Sequence, residues 1–190
     1  QIKSNLADQT GSVTTKSLRF SPDLSGIEWK ALGMPLASAV IKNSTEEEIL
    51  APSVQNVDNG IWFARLKDNK TPEFVVDESA FGMAGLWAAN GDTYTISSEG
   101  AFEFKTLEEP AAPTETGTFL MCSNPNTFTI TLKQSAYILT TDGTSFEQEA
   151  NPEIKPFQSF VLTDAKTLST LRSLRIGDGV VTGNQTIEPV

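Results

Sequence analysis

The chain has 190 residues and a formal net charge of -10, with no histidine and a single cysteine, Cys122. Without histidine, a Ser-His-Asp triad, a Cys-His dyad and a His-ligated zinc or iron centre are excluded, and one cysteine cannot close an intramolecular disulfide. The acidic balance repels phosphate backbones, so nucleic acid is not an expected partner, and no apolar run approaches the ~20 residues that span a bilayer, so no membrane insertion is expected.

Residues 1–16 lack periodicity and read as a polar leader or an edge segment. The start at Gln1, without an apolar signal stretch, reads as a chain from which a leader has been trimmed. From Ser17, short apolar or alternating runs recur between Gly, Pro, Asn and Asp. They predict strands at Ser17 to Phe20, Ile27 to Met34, Ser38 to Ile41, Ile61 to Leu66, Glu73 to Val76, Leu86 to Ala88, Thr93 to Ser97 and Ala101 to Lys105. Thr45 to Leu50 predicts one acidic helical turn, capped by Ser44 or Thr45. The Pro- and Ala-containing stretch at 108–116 predicts an extended connector and an internal boundary.

Beyond it, strands are predicted at Thr118 to Cys122, Thr127 to Leu132, Ala136 to Thr140, Ser145 to Gln148, Gln158 to Leu162 and Ser173 to Ile176. Asn90-Gly91, Asp142-Gly143 and Asp178-Gly179 are candidate two-residue hairpin turns, because both residue types tolerate positive φ. Asp164 followed by Leu168 and Leu171 predicts a short capped helix. Residues 177–190 read as a polar C-terminal tail. Many short strands with frequent turn signals define an all-β, antiparallel β-sandwich of jelly-roll-like type over residues 17–176, with two packed β subdomains as the alternative.

The catalytic option open to such a chain is a pair of carboxylates, as in glycoside hydrolysis. Asp58, Asp77, Glu78 and Asp92 lie nearest the Trp62 and Trp87 strands, but no pattern places two of them on one sheet face, so solvated surface charge is the favoured reading. Cys122 sits in an apolar run and reads as a small buried hydrophobe. Arg172 and Arg175, the local basic cluster, read as a solvated strand or turn. No loop alternates oxygen donors as a calcium site requires, and nothing predicts another metal or a cofactor. The aromatic residues offer a binding surface instead. Core packing is their favoured role, but alternation at Ile61, Trp62 and Phe63 sends one aromatic away from the core. Trp62, Phe63 and Trp87 are therefore the candidate surface for stacking on sugar rings.

Four segments carry a resemblance: Trp29 to Leu36, Gly117-Thr118-Phe119, Ser135 to Glu147, and Ile154 to Leu162. Together they resemble the C-terminal β-sandwich-like modules of secreted and cell-surface Bacteroidetes proteins of unknown function, of adhesin type. Leu36 stands where that pattern has Phe, and Ser159 and Phe160 stand where it has Ala and Tyr. The resemblance implies one continuous β unit, export to the cell surface with an outer-membrane tether, and a non-catalytic role in adhesion, glycan contact or envelope assembly. Its partner would be a glycan or a surface protein. The competing readings are a carboxylate-dependent glycoside hydrolase and a purely structural spacer.

Overall fold

A strand buried on one face alternates apolar and polar side chains, whereas one buried on both faces is apolar throughout; this chain contains both kinds. The computed structural model describes residues 12–20, 28–33, 40–49, 60–76, 84–89, 94–105, 109–124, 126 and 128–176. Its first half forms β1 (Ser12–Phe20), β2 (Lys30–Leu32), β3 (Val40–Lys42), β4 (Glu48–Ile49), β5 (Ile61–Leu66), β6 (Phe74–Val76), β7 (Gly85–Ala89) and β8 (Thr95–Lys105). These pair as two four-stranded antiparallel sheets, ordered β1-β8-β3-β4 and β2-β7-β5-β6.

The second half forms β9 (Phe119–Ser123), β10 (Ile130–Thr131), β11 (Ala136–Leu139), β12 (Ser145–Glu149), β13 (Glu153–Ile154), β14 (Ser159–Thr163), α1 (Ala165–Thr170) and β15 (Ser173–Arg175). Its antiparallel five-stranded sheet runs β15-β12-β11-β14-β9, and β10 and β13 make a separate two-stranded ribbon. The fold is all-β and sandwich-like.

The main core lies between the β5 sheet and the β11 sheet. The first contributes Trp29, Ala31, Trp62, Ala64, Phe74, Leu86 and Ala88; the second answers with Phe119, Tyr137, Phe146, Val161 and Leu174. Phe74 and Phe146 stack across the gap, with ring centroids 5.4 Å apart and planes 11° from parallel. Alternation puts Phe63 and Trp87, a directly opposed pair, on the other side of the β5 sheet. Their rings are 4.9 Å apart and tilted by 45°. On the far side of the β11 sheet a second cluster joins Ala136, Phe160 and Leu162 to Leu132 and Ile154. Strand β14 therefore serves two cores, and all five of its residues are buried.

Strand ladders among the described residues stay within each half, but backbone and side-chain bonds join the halves. Leu32 bridges Gln158, and the Gly33 amide donates to the Phe157 carbonyl at 2.7 Å. The Gly85 amide donates to Ser159 Oγ at 3.2 Å, and the Phe119 amide to the Asn69 carbonyl at 2.8 Å. Lys70 donates to Thr118 Oγ1 at 3.0 Å and pairs with Glu115.

The buried Asn124 organises one end of the second half. Its side-chain amide donates to the carbonyls of Phe128, Ile154 and Lys155 at 2.8–3.2 Å. Its own carbonyl accepts the Phe157 amide at 2.8 Å, and its amide donates to the Gln158 carbonyl at 3.0 Å. These bonds hold a turn in which Gln158 donates back to the Lys155 carbonyl. Pro156 occupies its second position and Phe157 its third, at φ 60°, the arrangement of a type II turn whose third residue is ordinarily glycine. Pro156 thus belongs to the turn before β14, not to the strand.

Some elements differ from the sequence expectation. The acidic stretch after Asn43 is a hairpin turn between β3 and β4 instead of a helical turn. The Asn43 carboxamide oxygen accepts from the Thr45 amide and hydroxyl and from the Glu47 amide, an alternative to helical pairing that Asn favours, and Glu46 sits at φ 65°. The two strands expected within residues 93–105 are one strand, β8, continuous through Gly100. Strand β1 begins at Ser12 and lies at a sheet edge, so it includes part of the expected leader.

The Asp142-Gly143 hairpin is present, but its loop is longer than two residues. Gly143 donates to Thr140 and Thr140 to Ser145. Gly143 has positive φ but Asp142 does not, whereas a type I′ turn needs both. The predicted short helix is α1, with Asp164 as its N-cap. Residues 1–11 and 177–190, with Asn90-Gly91 and Asp178-Gly179, lie outside the described residues.

Two substitutions test this architecture. A Cβ at Gly85 would collide with the Phe63 ring and lie 2.7 Å from the Ala64 carbonyl oxygen. Gly85→Ala should therefore lower unfolding stability by about 1–3 kcal/mol, measured by urea denaturation; unchanged stability would show that the Phe63 ring is not held there. Asn124→Ala leaves three carbonyls short of a buried donor and should cost about 2–4 kcal/mol. Asn124→Asp, which faces the same carbonyls with an acceptor, should be no better; a stable Asp variant would refute the donor role.

Candidate functional site

The aromatic residues expected to meet sugar are placed by β5 and β7. Trp62 and Phe63 do point to opposite faces of the sheet, as alternation requires. Both faces are covered, however: Trp62, Phe63 and Trp87 each have 0% relative exposure. Trp62 lies in the layer facing the β11 sheet, and Phe63 packs on Trp87 over the space that Gly85 leaves open. The expectation of an aromatic surface is corrected here. A solvent-facing ring requires a sheet covered on one face, and this sheet is buried on two. Trp29 is buried as well, at 3%, with its backbone against Gly143.

Asp58, Asp77, Glu78 and Asp92, the carboxylates nearest these strands in sequence, lie outside the described residues. Among the described residues three aspartates, Asp68, Asp142 and Asp164, are held below the usual carboxylate range. Asp68 is lowered chiefly by the Lys70 amide and then the Thr71 hydroxyl, and its Oδ1 accepts the Lys70 and Thr71 amides at 2.8 and 2.7 Å. Asp142 is lowered first by the Thr140 hydroxyl and then by Thr144, with oxygen–oxygen distances of 2.6 and 2.7 Å. Both stabilise exposed turns.

Asp164 is lowered furthest, by the Thr167 hydroxyl first and then by the amides of Thr167, Gly117 and Thr118. One of its oxygens caps α1 by accepting the Thr167 amide at 3.0 Å. The other accepts the Gly117 amide at 2.8 Å. The same carboxylate therefore fastens the end of the 109–118 connector to the helix, and Glu109 holds the start of that connector by accepting the Lys133 amide at 2.6 Å. Sequence reasoning found the cap but not the connector contact, because nothing in the local pattern pairs Gly117 with a residue beyond β14.

Tyr137 is also buried, and its hydroxyl donates to the Leu171 carbonyl at 2.7 Å. Burial, followed by the nearby Asp164 charge, raises its pKa. Cys122 is half-buried, and burial pushes its thiol up to about 11, so at neutral pH it is a protonated thiol and a poor nucleophile. Among the described residues no group of three or more metal-ligating side chains converges, and no helix is long and apolar enough to cross a membrane.

This geometry defines an all-β sandwich-like protein whose most constrained polar groups bind its own backbone. No family model, curated protein or solved structure matches the chain.

Two measurements test these assignments. Acrylamide should quench tryptophan emission far less in the native protein than in urea; equal quenching would mean that indoles lie at the surface after all. Because Asp164 titrates below its ordinary value of about 4, its stabilising contribution is complete above that pH and is lost as pH falls below it. The wild type should therefore lose its advantage over Asp164→Asn progressively on acidification below about pH 4. A constant difference down to pH 2 would contradict the assignment.

Proposed function

We propose that the chain is a non-catalytic extracellular or cell-surface module, tethered at an outer membrane, that acts in adhesion or envelope assembly by meeting a glycan or a surface protein. The observation that carries this reading is the use made of its polar chemistry. Asn124, Asp164, Asp142 and Asp68 have their hydrogen-bonding capacity engaged by neighbouring amides, carbonyls and hydroxyls, which is the signature of a scaffold. The resemblance of its Trp29 to Leu36 and Ile154 to Leu162 segments to surface modules supports the same reading.

A carboxylate glycosidase is the less favoured alternative. Its general acid must keep a proton near neutral pH and so needs a raised pKa; Asp68, Asp142 and Asp164 are shifted the other way, so none of these three fits that role. With Trp62, Phe63 and Trp87 buried, contact with a partner falls to other residues.

Display of the chain on a non-adherent host should increase attachment to glycan-coated or envelope-protein-coated surfaces, and soluble chain should compete with that attachment. No gain on either surface would overturn the adhesive reading. Turnover of an aryl glycoside by the purified protein, abolished by one Asp or Glu to amide substitution, would replace it with the hydrolase.

A further inference from the structure

We draw no further inference here: the strongest candidate, the outer edge of β15, where Ser173 and Arg175 turn their backbone groups away from β12 beside the exposed Arg172 and Arg175 side chains, carries no proposal because nothing in the structure shows what covers it.

Discussion

The apolar layer between the β5 sheet and the β11 sheet is the constraint on which the remaining structure depends. Each sheet comes from one half of the chain, and neither buries these side chains by itself. Trp62, Leu86 and Phe74 need Phe146, Val161 and Tyr137 opposite them. Aromatic side chains dominate the layer because each removes a large area from water, and the near-parallel stack of Phe74 on Phe146 fixes how one part of the two sheets meets. The Pro-rich connector then joins two halves that share a core, and its attachments at Glu109 and Gly117 keep it against the second half.

Close packing on both faces explains the positions that tolerate least. Gly85 is a strand residue whose missing side chain makes room for the Phe63 ring. Phe157 adopts a left-handed conformation that disfavours non-glycine residues, and it is held there by bonds to Asn124 on one side and Gly33 on the other. Asn124 acts as a hub: one buried side-chain amide gathers carbonyls from separate segments. These features maintain the fold, and they account for much of the buried polar chemistry in the second half.

Most of the strand content was legible because β5, β6, β11 and β14 are rich in β-branched, aromatic or other apolar side chains and β12 follows the Asp142-Gly143 turn. The Asp164 cap was legible for the same local reason. The number of covered faces was also present in the pattern: Ile61-Trp62-Phe63-Ala64 is apolar on both sides of the strand, the mark of a strand covered twice. Alternation within that run separates Trp62 from Phe63, but it leaves neither ring to solvent. Asn124 was missed because a buried hydrogen-bond hub has no local periodicity. The β3–β4 turn was misread because Asn43 and Thr45 form a side-chain turn that competes with the helix suggested by the acidic residues.

The shared core also orders events in time. During synthesis Phe74 leaves the ribosome well before its stacking partner Phe146, and Trp62 and Leu86 emerge before β11, β12 and β14 exist. The first half must therefore persist with an uncovered apolar face, the kind of intermediate that associates with other chains when cover is delayed. Long-range pairings of this type also fold slowly, since a distant segment must arrive before its contacts repay the loss of chain entropy. For such a chain the vulnerable interval is its own elongation, and a holdase that shields the β5 sheet until the last strands appear would protect it better than one acting on the finished protein.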